Sequence, residues 1–293
     1  MEFSIKILVI FIIVFCFVLY VMPQYSFGYM AGFIDKLERA KAIAEPKILL
    51  MGDSNVAYGI DSKLLEEAMN MPVVNMGLHG GLGQTFCMDL AKPEIKQRDI
   101  VVILPAYYGY DSRLLDGTLA WLILENDLSL LKRVKIYDYT TLIMGYPAYL
   151  KKAINLWKSN MGNTTSDWEV NRKDLNEYGD VSSVGNDNVM PGGYLESETF
   201  SMYSNVNNDL MEYYNEYNQY VLSQGAVMVL TCPPIIEPLW DGQSDAAEKR
   251  QQEVIQALEF PVISDWKDYI YPEGYFYNTN NHLNDIGKVI RTE

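Results

Sequence analysis

The chain is short of bases and of histidine. Lys and Arg number 23 against 38 Asp and Glu, for a formal charge of −15, and only two histidines occur, His79 and His282. No basic stripe is available to neutralise phosphates, so nucleic acid is excluded as a partner, and anionic surfaces are poor partners on the same ground. Two histidines far apart, with no paired cysteines beside them, give no zinc-ligand cluster, so neither a metal nor a cofactor is expected. The three cysteines, Cys16, Cys87 and Cys232, lie in apolar stretches and imply no disulfide framework, although a Cys87–Cys232 pair stays open. No Gly-Lys-Ser/Thr follows the one glycine-rich stretch, which leaves phosphate cradling a weak reading. Disorder is excluded too, because 49% hydrophobic content lets the chain bury one large core, or one core with a sizeable insertion.

What is present begins with an apolar run. From Ile7 to Met22 the only polar side-chain group is the Tyr20 hydroxyl. As a helix rising ~1.5 Å per residue this run is ~24 Å long, at the lower limit for a hydrocarbon core of ~30 Å unless Phe3 and Ile5 extend it. Residues 1–24 read first as a membrane anchor and second as a cleaved signal peptide, with Ser26-Phe27-Gly28 a weak small-x-small site. Phe33, Ile34, Leu37 and Ala40 then recur at helical spacing, giving an amphipathic spacer helix within 25–46 that Pro46 ends.

From Lys47 the rhythm changes. Ile48-Leu49-Leu50-Met51, held between Pro46 and Gly52, reads as a strand buried on both faces, as in a parallel sheet. Pro72–Asn75, Asp99–Leu104, Ala226–Leu230 and Pro261–Ile263 read as further strands, with helices at Ser62–Asn70, Val206–Ser223 and Asp245–Leu258. Strands separated by helices predict an α/β domain over 47–293, a parallel sheet with helices on both faces. A large insertion at about 107–205, after the third strand, breaks the alternation. It holds an aromatic cluster, Trp121, Tyr137, Tyr139, Tyr146 and Tyr149, that reads equally as a cap, a face near a bilayer or a local core. Asn163-Thr164-Thr165 is a glycosylation sequon only in a eukaryotic secreted protein.

Three polar stretches punctuate this frame. The first strand stops at Gly52-Asp53-Ser54-Asn55, an ordinary turn by composition, but one at the carboxyl edge where open α/β sheets place their ligands. Met76-Gly77-Leu78-His79-Gly80-Gly81-Leu82-Gly83 follows the second strand, and backbone so rich in glycine approaches something closely. Near the end, Phe276 to Gly287 carries His282. A serine hydroxyl needs a base within hydrogen-bond reach, and His282 is the candidate ahead of the loop residue His79.

Together these stretches resemble the SGNH, or GDSL-type, hydrolase superfamily. The resemblance runs from about Lys47 to Thr292, carried most strongly by Gly52–Ser54 and by His282-Leu283-Asn284 through Gly287, Arg291 and Thr292. It implies a three-layer, flavodoxin-like fold, Ser54 as nucleophile and His282 as base. It also implies an oxyanion hole from the N–H groups of Ser54 and Gly80, beside a substrate pocket of Asp53, Asn55, His79, Tyr107 and Tyr108. The chain departs from the family twice. Asn278 stands where a sub-family carries its acid, and Ala106-Tyr107-Tyr108-Gly109-Tyr110 lacks the asparagine that many members place after the third strand. With an N-terminal transmembrane helix ahead of it, the layout resembles bacterial cell-surface proteins that work with membrane-bound O-acyltransferases on exported polysaccharides or teichoic acids. That implies an extracytoplasmic body, a cell-envelope glycan as substrate, and ester hydrolysis or acyl transfer as the reaction. The two departures imply a rival, a member of the fold that binds glycan or an acyltransferase partner without catalysis.

Overall fold

The computed structural model describes residues 2–21, 28–106, 115–159, 170–192, 206–240 and 244–293. The weak cleavage site at Ser26-Phe27, the sequon at 163–165, and Tyr107 and Tyr108 lie outside these residues. Helix α1 (Glu2–Val21) exposes apolar side chains from Phe3 to Val14. Its side chains are described only as far as Cys16, and among the described residues no helix is long and apolar enough to cross a membrane.

Helix α2 (Gly32–Ala42) covers the segment expected as a spacer, yet it packs onto the domain. Phe33, Leu37 and Ala40 are buried at helical spacing. Lys36 is buried with them because its Nζ donates to the carbonyls of Gly77 and, at 2.7 Å, Gly179.

Beyond Pro46 runs β1 (Ile48–Gly52), whose alternate residues serve two cores. Leu49 and Met51 face one, Ile48 and Leu50 the other, as the two-residue period of a strand requires. Helices α3 (Ser54–Gly59) and α4 (Ser62–Met69) follow, then β2 (Val73–Asn75), α5 (Phe86–Ala91) and β3 (Ile100–Leu104). With β4 (Val227–Leu230) the strands form a 4-stranded parallel sheet in the order β2-β1-β3-β4, so the fold is mixed α/β. An ion pair between Lys47 Nζ and Asp99 Oδ2, 2.7 Å apart with neither side chain exposed, pins the starts of β1 and β3 in register.

Where described, the insertion after β3 is largely helical. Helices α6 (Gly117–Leu124) and α7 (Asp138–Ser159) cross at Gly117 and Gly145, where a Cβ on Gly145 would stand 2.5 Å from the Gly117 carbonyl carbon. Trp121, Tyr146 and Tyr149 are buried there, and the ring of Phe15 from α1 lies 5.0 Å from that of Tyr146. Of the aromatic cluster, Trp121, Tyr146 and Tyr149 thus form a local core that α1 joins, whereas Tyr139 is half-buried and Tyr137 is exposed.

Helix α8 (Asn208–Ser223) returns against β4. Pro261–Ile263, expected as a last strand, makes a single parallel bridge from Val262 to Leu230. Pro261 has no N–H for a ladder and Ile263 is exposed, so pairing stops there. A two-stranded parallel pair, β5 (Ile235–Ile236) with β6 (Ile270–Tyr271), flanks α9 (Ser244–Ala257) and leads to the histidine segment. Helix α10 (Asp285–Thr292) ends the chain against α3.

Candidate active site

Strand β1 delivers Ser54. Asp53 caps α3, its Oδ1 accepting the Asn55 N–H at 2.8 Å and Asn55 Nδ2 at 2.6 Å, so Ser54 is the first residue of a helix. The sequence placed the next helix at Ser62, because six residues are too few to show a period of 3.6. Asn55 Nδ2 also donates to Leu104 O at 3.2 Å, while Arg291 Nη1 donates to Asn55 O at 2.9 Å and to its Oδ1 at 3.1 Å. Asp53 and Asn55, expected in the substrate pocket, are only 1% and 0% exposed. Their side chains shape the turn that presents Ser54.

The glycine stretch meets this turn from the side. Asn75 closes β2 with its Oδ1 accepting the Gly77 N–H at 2.9 Å, and its Nδ2 donating to Val56 O at 2.9 Å and Asp180 Oδ1 at 2.8 Å. A Cβ on Gly77 would lie 2.6 Å from Asp53 O and 2.7 Å from Ala57 N, so only glycine allows the approach. Gly80 opens the 3-10 turn Gly80–Leu82, as Ser54 opens α3. The N–H at the start of such a turn has no acceptor within the turn itself. His79 caps the same turn, Nδ1 accepting the Gly81 N–H at 2.9 Å, which leaves the proton of its neutral ring on Nε2. Burial pushes the His79 pKa down.

The third stretch supplies the base. A bridge between Phe276 and Leu283 closes a tight loop, within which Tyr277 N–H donates to His282 O at 2.8 Å and Thr279 Oγ1 accepts the His282 N–H at 3.1 Å. The loop turns Asn278 and His282 toward each other. His282 Nδ1 lies 2.8 Å from Asn278 Oδ1, and His282 Nε2 lies 2.8 Å from Ser54 Oγ. An amide oxygen only accepts, so Nδ1 carries the ring proton and Nε2 turns its lone pair to the serine hydroxyl.

Ring electrostatics follow from the surroundings. Tyr58 stacks on His282 at 4.0 Å with 4° between the planes, a contact hidden in the sequence because a tyrosine on a short helix reads as packing. Burial first, and then nearby His79, push the His282 pKa down to about 3, although part of the residue still reaches the surface. Asp265 and Asp285, two acids on either side of the histidine segment, are spent elsewhere. Asp265 caps the turn at Lys267, and Asp285 accepts from Ser183 Oγ and the N–H groups of Val184 and Gly185. The arrangement thus has a hydroxyl, a neutral base in the right tautomer, and an orienting amide instead of a carboxylate. Such a set is suited to nucleophilic acyl transfer. No family model, curated protein or solved structure matches the chain.

Proposed function

We propose that the protein is a serine esterase or O-acyltransferase of the SGNH type, acting on acyl groups, acetyl first among them, of an exported polysaccharide or other cell-envelope glycan. The observation that carries this reading is the 2.8 Å contact of His282 Nε2 with Ser54 Oγ, the ring held from behind by Asn278. Ser54 Oγ attacks the ester carbonyl while its proton passes to Nε2, and the N–H groups of Ser54 and Gly80 receive the oxyanion. Collapse expels the alcohol, which takes the proton from the imidazolium. Water or a glycan hydroxyl then attacks the acyl-serine, with His282 again accepting the proton, and the choice between them separates hydrolase from transferase. A serine at the carboxyl end of an inner parallel strand, with a core on each sheet face, suits the three-layer flavodoxin-like arrangement of that superfamily.

The same reading makes α1 a membrane anchor and the body extracytoplasmic, with a membrane-bound O-acyltransferase as partner. Its support is a 20-residue helix whose side chains from Phe3 to Val14 are exposed and, apart from Ser4 and Lys6, apolar. A second reading, a glycan-binding protein without catalysis, is favoured by Asn278, because an amide offers imidazolium no charge, and by the absence of an asparagine after the third strand.

The test is a fluorophosphonate probe together with hydrolysis of a small acetyl ester. The wild type is expected to label and to turn over, and Ser54→Ala to do neither. Labelling that persists in Ser54→Ala overturns the assignment, and an unlabelled wild type that still retains glycan supports the second reading.

A further inference from the structure

We infer that the outer face of α7 lies on an anionic lipid surface beside α1, an inference that rests on the membrane reading of α1. The inner face of α7 is accounted for, since Leu142, Tyr146, Tyr149 and Ala153 are buried. The opposite face carries Ile143 and Met144, 70% and 76% exposed, with exposed Pro147 one turn on, and Ile136 just before the helix is 85% exposed. Large apolar side chains on one stripe of a helix, so open to solvent, mark a contact surface.

Charge identifies the occupant. The chain as a whole is at −15, which argues against any diffuse attraction to anions. The segment 128–159 reverses that balance, with Lys132, Arg133, Lys135, Lys151, Lys152 and Lys158 against the single acid Asp138. Arg133 and Lys135 turn inward to Glu94 and Asp89. Lys132 and Lys151 are exposed and bracket the apolar stripe at its two ends. An apolar stripe with lysines at its margins sits at the boundary of headgroups and acyl chains, where each base adds attraction to anionic lipid. Lipid is favoured over a protein surface by continuity with α1, whose Phe11 and Phe15 reach Tyr146 at 6.4 and 5.0 Å between ring centroids. The face also bears on the candidate site. On α6, Trp121 meets Phe15, and two residues earlier Leu119 lies 2.8 Å from where a Cβ on Gly81 would stand.

The experiment uses the full chain in vesicles of phosphatidylglycerol or phosphatidylcholine doped with a nitroxide-bearing lipid. A bimane label is placed on Cys16, to report α1, or on position 143 in the Cys16→Ser/Ile143→Cys variant. Cys87 and Cys232 are buried and stay unlabelled. The expected result is loss of emission at both positions, the loss at 143 being smaller in phosphatidylcholine and reduced in phosphatidylglycerol by Lys132→Glu/Lys151→Glu. Loss at Cys16 with full emission at 143 overturns the inference and leaves the anchor standing. Full emission at both removes the anchor and this inference with it. Loss at 143 that ignores both lipid charge and the lysine pair overturns the anionic assignment. A dimer in detergent that Ile143→Asp dissociates assigns the face to a second copy instead.

Discussion

Asn278 Oδ1 and His282 Nδ1 lie 2.8 Å apart, and that contact does half of what a carboxylate does in a serine hydrolase. It fixes the tautomer and the ring plane, so that Nε2 meets Ser54 Oγ at 2.8 Å. It supplies no charge, and the ring is held well below the ordinary histidine range. Geometry is preserved while imidazolium stabilisation is missing.

Asn278→Asp restores the missing charge at an unchanged position. Turnover on a small acetyl ester is expected to rise, by up to ~10²-fold, since the reverse exchange in a serine protease costs ~10⁴. A variant that folds as the wild type does, with unaltered turnover, would show that imidazolium stabilisation does not limit the reaction.

The two forms also differ in pH response, and the sign follows from the base having to be neutral. With the His282 pKa pushed down to about 3, acidification from pH 8 to pH 5 leaves the wild-type base unprotonated and its kcat/KM flat on that account. An aspartate beside the ring favours the protonated form and raises its pKa toward the ordinary histidine value of ~6.5, so the variant's acidic limb lies at higher pH than the wild type's. An acidic limb near that pH in the wild type would contradict the burial-driven shift.

Lys36 ties α2 to the loop that carries Gly80, donating to Gly77 O and to Gly179 O from a site 2% exposed. Lys36→Met leaves two buried carbonyls short of a donor at ~1–3 kcal/mol each, so a loss of about 2–6 kcal/mol is expected in denaturant unfolding. Because Gly77 abuts the Ser54 turn, kcat is expected to fall more than KM rises. Equal stability in the two proteins would show that the tie is not needed.

What the sequence made legible were features with a local signature. Buried strands appear as apolar runs, and Ser54, Gly80 and His282 stand in stretches whose turn residues mark them out. Asn278 was legible because it lies four residues from its partner, within one loop. Adjacency to a nucleophile says nothing about which way a side chain turns, and Asp53 and Asn55, expected in the pocket, are buried in bonds that hold the Ser54 turn. Arg291 reaches Asn55 across 236 positions and Lys36 reaches Gly77 across 41, and no local pattern encodes such pairings. Val262 shows the opposite error, an apolar run too short to form a strand once Pro261 precedes it.

Glu125 offers a measure of how the α6–α7 unit holds together. It accepts from the Tyr149 hydroxyl at 2.6 Å, and its Oε1 is buried without a hydrogen-bond partner among the described residues. Burial raises its pKa to about 9, the Tyr149 bond offsetting this only in part, so the side chain is a neutral acid at pH 7. In the unfolded chain it ionises near the ordinary value of ~4.3. Between those two values the folded state holds a proton that the unfolded state has lost, so stability must fall as pH rises through that window and level off above about 9. Glu125→Gln keeps the shape and an acceptor for Tyr149 while removing the titration. Scans from pH 5 to pH 9 are therefore expected to show the wild-type Tm declining relative to the variant by about 2–4 °C per pH unit. Parallel curves for the two proteins would mean that Glu125 is ionised in the folded state, and that the buried oxygen has found a cation or water to meet it.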